Sequence, residues 1–454
     1  SDVIDFILIL GDTLNVGTPS DDTISTAKIQ TNAVTTAKIL DGNVTGAKLN
    51  TDAISSQTAL GVTPADTDEF MVSDAGVLKR VDYSYIKGIT SSSFLPNAQP
   101  IIINGDMAVA QRSTSATGKT VSGYYSVDRV RNEFNVGTYT FAQESLTSGP
   151  AYEAGFRNAF RLDTTTAATP TAPDYVTMGY YFEGSQLSSF KFGGSDATKI
   201  TLAFWVKSNK TGTGNVAMRN PDASLRQATH SYTISVADTW EHKILVFDGD
   251  TSAGFNDDNN QSMQLYWWLD GGSNFQVGST SNGAWGVKNN SCFYAGADLD
   301  IAQNTANDWA FTGVQMLAGE YSASTLPPFQ FDSYGDNLLK CQRYFYIRGG
   351  YSNYNYLSTA TIGYHDTQHI APIQFPVNMR TAPTFSYDGA LSTFSLRDGT
   401  LTSHVPTTIA VDQPAPTITS IAITVSGGGL GTDTSGVLMG ANSTASKIKF
   451  DSEL

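Results

Sequence analysis

The chain has 454 residues, of which 40% are hydrophobic, 11% aromatic and only 15% charged, with 41 glycines. That composition predicts an all-β, turn-rich fold of several domains, and it excludes both a heptad coiled-coil rod and a chain without a core. The net charge of −15, from 27 Lys and Arg against 42 Asp and Glu, argues against nucleic-acid phosphates and anionic lipid as partners and leaves neutral sugars or proteins.

Residues 1–20 read as an N-terminal strand region. Its apolar stretch, Val3 to Leu10, is interrupted by Asp5 and has no basic segment before it. It falls far short of the roughly 20 residues that span a bilayer and lacks the form of a signal peptide. A repeat follows over residues 21–60. Units beginning at Asp22, Asn32 and Gly42 align, and a fourth opens at Asp52. Large aliphatic residues recur every five positions: Ile24, Ile29, Val34, Ile39, Val44, Leu49 and Ile54. Five fits neither the 3.6-residue helix nor the 2-residue strand. No aromatic residue lies between Phe6 and Phe70, so each unit has nothing of its own to bury these side chains against. Such a segment is either a disordered linker or a shaft in which several copies of the chain bury the stripe together. The strict period favours the shaft.

Residues 61–98 read as a connector, with a strand, a turn at Asp74 to Gly76 and a second strand between Val72 and Arg80. Residues 99–332 hold many short strand candidates separated by turn residues. The clearest are Ile200 to Lys207, Glu241 to Phe247, Met263 to Asp270 and Ala310 to Leu317. This pattern predicts a β-sandwich, jelly-roll-like, large enough to fold without disulfides. Residues 333–454 read as a smaller distal β domain that opens at Leu338 to Tyr346, with Ile418 to Val425 and Ser446 to Phe450 as strands.

Most motifs with catalytic chemistry fail on inspection. Gly118-Lys119-Thr120 ends like a phosphate loop, but Ser113 stands where its first glycine belongs. Gly427 to Gly431 fails the dinucleotide fingerprint at Thr432. His365 and His369 have i, i+4 spacing, but in strand-like surroundings they read as ordinary surface histidines rather than a metal pair. Asp248 to Gly254 departs from a calcium loop, with Asn259 in place of the bidentate Glu, so the acidic turn at Asp257 and Asp258 reads as solvated, with a calcium ion left open. Cys292 and Cys341 read as free buried thiols. No nucleophile elbow occurs, and no cofactor, metal site or catalytic residue is expected.

One pattern points to binding. In the strand Met263 to Asp270, alternation puts Met263, Leu265, Trp267 and Leu269 on a core face. Gln264, Tyr266, Trp268 and Asp270 share the other, where aromatic planes and hydrogen-bonding groups suit a sugar ring. In the strand Thr201 to Lys207, Trp205 is likewise left beside Ala203 and Lys207. The competing reading is that both faces are buried against a neighbouring subunit.

The residues carry a family resemblance. The ten-residue Ala-Lys-Ile repeat resembles the shaft of bacteriophage tail fibres, and Asp68 to Lys87 resembles a connector in fibres of marine phages. Ile102 to Arg112, with Ser126 to Arg129, resembles the opening of a carbohydrate-binding-module-like sandwich in phage tail proteins. Trp309 to Glu320, with Pro327 to Phe329 and Cys341 to Tyr344, resembles its close. Phe450 to Leu454 is similar to fibre C-termini. Podovirus fibres carry an N-terminal virion-attachment domain that is not recognisable here. The resemblance implies a homotrimeric virion fibre, made in the host cytoplasm and joined to other tail proteins, that adheres to a host-surface receptor, often a polysaccharide. No catalytic group carries over, and Asn104, Asp106, Arg112 and Arg129 read as structural. The competing readings are a tailspike depolymerase that cleaves host polysaccharide and a bacterial adhesin or secreted lectin.

Overall fold

The computed structural model describes residues 17–40, 43–44, 56–86, 101–223, 226–431, 434–440 and 443–454. The chain divides into two compact units, Ser1–Thr90 and Ser91–Leu454. It is all-β, with two short α-helices among the described elements of the second unit.

In the first unit the repeat has a recurring local structure. Asp22 and Asn32 adopt left-handed φ values of 64° and 67°. Each is followed by a single 3-10 turn, Thr26–Lys28 or Thr36–Lys38. The Lys28 and Lys38 ammonium groups donate to the carbonyls of Thr23 and Ala33 five residues back. Ile24, Ile29, Val34, Ile39 and Val44 are 42–57% exposed. Leu49 and Ile54, and all but four residues of the 1–20 strand region, lie outside the described residues. The connector forms the expected hairpin of β1 (Glu69–Asp74) and β2 (Val77–Asp82), closed by Ala75 and Gly76 at φ 50° and 86°. Positive φ at both turn positions matches the right-handed twist of the strands.

In the second unit the sandwich strands are β3 (Ser115–Lys119), β4 (Arg131–Phe134), β5 (Thr138–Ser145), β6 (Asn158–Thr166), β7 (Tyr175–Glu183), β8 (Ile200–Lys207), β9 (Gly212–Asn220), β10 (Arg226–Ile234), β11 (Glu241–Phe247), β12 (Gln261–Gly271) and β13 (Asp308–Ala318). They form a five-stranded sheet, β10-β9-β12-β7-β4, and a six-stranded sheet, β11-β8-β13-β6-β5-β3. Every pairing is antiparallel. The inner faces meet through large aromatics: Trp267 lies 5.3 Å from Phe204 and 5.0 Å from Phe311, centroid to centroid.

The segment Leu338 to Tyr346, at which the distal domain was expected to open, holds the end of a helix and the start of a strand. Tyr334–Gln342 is an α-helix, capped by the Ser333 hydroxyl, which accepts from the Asp336 amide at 3.1 Å. The strands that follow are β14 (Phe345–Gly349), β15 (Thr361–His365), β16 (Gln368–Gln374), β17 (Thr384–Asp388), β18 (Phe394–Asp398), β19 (Ser403–His404), β20 (Pro406–Gln413), β21 (Ile418–Val425), β22 (Ser435–Gly440) and β23 (Lys447–Asp451). They build a three-stranded sheet, β14-β23-β17, and a seven-stranded sheet, β19-β18-β22-β15-β16-β21-β20. A second core, including Phe375, Phe394, Ile421 and Phe450, fills the space between them.

Candidate binding face

The outer face of the five-stranded sheet carries the residues that alternation singled out. Strand register arranges it as cross-strand rows. One runs Tyr181, Gln264, Arg219, Gln227. The next runs Arg131, Gly179, Tyr266, Ala217, Thr229, and the third Glu133, Thr177, Trp268, Asn215, Ser231. Gly179 has a steric reason to be glycine, because a Cβ there would lie 2.0 Å from the Leu265 carbonyl oxygen.

The rows differ in access, and this corrects the expected platform. Trp268 is 6% exposed and Tyr266 4%. Trp268 stacks on Phe293 at 4.9 Å and 13°, with Phe275 at 4.9 Å and Tyr175 at 6.0 Å. The covering rings come from this chain itself. Asn215 helps to hold them, donating from its amide to the Phe293 and Ala295 carbonyls at 3.2 and 3.1 Å.

Asp270 leaves the face altogether. A register shift between Trp268 and Asp270 breaks the alternation, so Asp270 pairs with the core residue Val176. Its carboxylate accepts from the amides of Gly271 at 2.9 Å and Ala302 at 3.1 Å. Burial, with Asp300 nearby, pushes its pKa up to about 6. Trp205 lies on β8 of the other sheet, half-buried and stacked on His242 at 4.9 Å. Trp205 and Trp268 therefore face outward from opposite sheets and do not share a site.

The end of the face around Gln264 stays open. Gln264, Arg219, Arg131, Glu133 and Tyr175 are half-buried. Tyr181 donates to the Glu133 carboxylate and lies 2.9 Å from the Tyr266 hydroxyl, while Arg131 Nε donates to Glu133 Oε1 at 3.2 Å. The Arg219 guanidinium sits 5.7 Å from the Phe293 ring, and its buried Nε has no partner among the described residues. Gln264 donates to Gln261 at 3.0 Å, and its own buried Oε1 is unpaired among the described residues. An unpaired donor and an unpaired acceptor, both buried atoms, thus occupy neighbouring positions of one row beside aromatic rings, while the rest of the half-buried Arg219 and Gln264 side chains reaches the surface. Polar side chains beside aromatic rings suit a polyhydroxylated ligand. Arg131, Glu133 and Arg219 escaped the sequence reading because their place beside Gln264 depends on pairing between distant strands.

The remaining sequence candidates resolve as structure. His365 is exposed as expected, but His369 is not a surface histidine: it is buried between the hydroxyls of Thr361 and Thr434 at 2.7 and 3.2 Å. Asp250 accepts from Nε and Nη2 along one edge of the Arg226 guanidinium, and Asp258 accepts from Asn260. Cys292 and Cys341 are free and buried. Asn104 bonds the Val109 and Asp128 backbone, Asp106 accepts from Asn337, and Arg112 and Arg129 pair with Glu453. Among the described residues no group of three or more His, Cys, Asp or Glu side chains converges as a metal site would, and no helix is long and apolar enough to cross a membrane.

The fold and this face define a β-sandwich protein with a half-open polar and aromatic surface. No protein-family model and no curated protein sequence matches the chain. Among solved structures it is similar to the enzymatically active domain of tailspike protein 4 from bacteriophage CBA120, with 13% identity over 48% of this chain and a TM-score of 0.24. The match spans only 21% of that protein. It is also similar to a family 11 carbohydrate-binding module from Clostridium thermocellum, with 10% identity over 46% of this chain and 98% of that one, at a TM-score of 0.22. A third is the tandem CBM22-1–CBM22-2 domain of Paenibacillus barcinonensis Xyn10C, with 9% identity over 75% and 98%, at 0.23.

Proposed function

We propose that the chain is a virion structural protein: a homotrimeric tail fibre that adheres to a host-surface polysaccharide through the open end of the sandwich face. The observation that carries this reading is the repeat. Its aliphatic residues recur every five positions, and those described are about half exposed in the single chain. Burying such a stripe between copies removes apolar area from water at about 25 cal/mol per Å². Three copies also present three equivalent faces, so that weak single sites gain roughly 10²–10⁴ through avidity. The N-terminal part then joins other tail proteins.

Binding uses Arg219, Gln264, Arg131 and Glu133 as hydrogen-bonding groups around the sugar hydroxyls, with the partly exposed Tyr175 as an apolar contact. Adhesion without cleavage is the expected activity. Size exclusion with light scattering gives the first test: a mass of about 146 kDa, three times the 48.6 kDa chain, is expected. A monomer overturns the fibre. Host-cell binding by Arg219→Ala and Gln264→Ala then tests the face, with at least a tenfold loss expected at an unchanged melting temperature. Release of reducing ends from host polysaccharide would make the protein a depolymerase instead.

A further inference from the structure

A groove of about 490 Å³ lies in the distal part of the second unit, away from the sandwich face. Its lining includes Tyr346 and Arg348 on β14, Gln374 and Phe375 at the end of β16, Thr359 before β15, and Ile418 on β21. Tyr346 and Arg348 are two residues apart, so their side chains share one face of the strand. The arrangement has three notable properties.

The first is an unpaired cation. The Arg348 guanidinium makes no hydrogen bond or ion pair with any described residue, and no carboxylate lines the groove. The second is a set of free polar groups. The Tyr346 hydroxyl, the Thr359 hydroxyl and the Gln374 amide make no side-chain hydrogen bond among the described residues. The third is a fixed apolar wall. Tyr346 meets Phe375 edge-on at 5.7 Å and stacks with Phe450 at 6.2 Å, and Phe375 meets Phe450 at 5.1 Å. The rings are held by the core, so the wall is set before any ligand arrives. Ile418, 47% exposed, adds further apolar surface.

We propose that this groove is a second glycan site, specific for an anionic saccharide whose carboxylate or sulfate pairs with Arg348. The planar guanidinium presents paired N–H groups that match a carboxylate or sulfate in a bidentate fork. Thr359, Gln374 and the Tyr346 hydroxyl then meet the ring hydroxyls, and the Tyr346 and Phe375 rings and Ile418 cover an apolar sugar face. The volume falls within the range of about 300–1,000 Å³ usual for ligand pockets. The inference rests on the adhesion reading only in taking a glycan as the ligand class; the residues and the surface are separate.

The test is calorimetric binding by the full-length protein. The probes are a galacturonic acid tetramer, its methyl-esterified counterpart, a sulfated galactose tetramer and a neutral galactose tetramer. Wild type is expected to bind at least one acidic tetramer tenfold or more tighter than its neutral counterpart, and the acid that binds identifies the anion. Arg348→Gln is expected to abolish that preference, and Arg348→Lys to retain part of it as a point charge. Neither change should lower the melting temperature, because Arg348 has no partner to orphan. Arg219→Ala, on the sandwich face, serves as the control and should leave the preference intact. Equal binding of acidic and neutral tetramers, an unchanged preference in Arg348→Gln, or loss only in Arg219→Ala would each overturn the proposal. Acidic binding that survives while Arg219→Ala binds host cells normally would overturn the sandwich-face reading and leave this one standing.

Discussion

Trp268 is enclosed by Phe293, Phe275 and Tyr175, with centroid separations of 4.9, 4.9 and 6.0 Å. Removing the indole leaves a cavity that these rings, tied down through Asn215, cannot collapse to fill. Trp268→Ala is expected to cost about 3–5 kcal/mol, seen as a lower urea midpoint at an unchanged slope. An unchanged midpoint with weaker host-cell binding would restore Trp268 as a contact residue. Asp270 offers a different test. Its folded carboxyl titrates at about 6 against an ordinary 3.8, because burial and the neighbouring Asp300 disfavour the charge. Folding therefore favours the protonated form. This contribution is fully present below about pH 4 and is lost as pH rises through 6. A shift of about two units corresponds to roughly 3 kcal/mol across that window. Asp270→Asn removes the titration, so its stability should fall less than wild type between pH 4 and 7, by urea denaturation at each pH. Parallel curves would show that Asp270 is charged in the fold throughout.

At the scale of elements, the ten-residue repeat depends on its left-handed residues. Asp22 and Asn32 have positive φ, and the equivalent positions in the next units are Gly42 and Asp52, all residue types that accept this conformation. A β-branched side chain there costs about 1–2 kcal/mol per residue, and the proposed trimer would meet that cost in three chains at once. Asn32→Val is expected to lower the temperature at which the assembly dissociates in light scattering by several degrees, while Asn32→Gly matches wild type. Equal behaviour of the two would mean that the turn is not needed for assembly. This periodicity was legible because it is local. So were β8, β11 and β21, whose residues fall where alternation and turn signals put them. The candidate site was less legible. Strict alternation through Trp268 carried Asp270 to the wrong face, since a one-residue bulge leaves no mark in the residues themselves. Phe275 and Phe293, two of the rings over Trp268, come from the segment after β12, whose return onto the sheet is a tertiary event. The helix Tyr334–Gln342, which the sequence reading did not assign, does have a local signal, Ser333 three residues before Asp336.

At the scale of the whole second unit, buried charges join the sandwich to the distal sheets. Arg129 and Glu453 pair with side chains 3% and 4% exposed. Arg129 also donates to the Tyr181 carbonyl on β7 at 2.7 Å and lies 3.4 Å from the Tyr344 ring. Arg112 adds contacts to Asp451 at 2.9 Å and Glu453 at 3.4 Å. Arg343 pairs with Glu183 on β7, and Tyr344 donates to the same carboxylate. The residues on one side of this network belong to the sandwich, and those on the other flank β14 and β23. Two separate hydrophobic cores are thereby made to depend on one set of charges. The pair itself is not a large source of net stability, since desolvation offsets most of its attraction; breaking one side is what costs energy. Glu453→Gln leaves Arg129 buried without its closest counter-charge, at a cost of about 3–5 kcal/mol. Because the lost charge sits between the cores, the damage should fall on their coupling. Calorimetry of wild type is expected to give one transition for the second unit, and Glu453→Gln two, as the distal core melts ahead of the sandwich. Adding Arg129→Met to Glu453→Gln removes the orphaned charge and should recover part of the loss, measurable as a coupling energy in a double-mutant cycle. A single transition in Glu453→Gln at the wild-type temperature would show that apolar contact alone holds the two cores together.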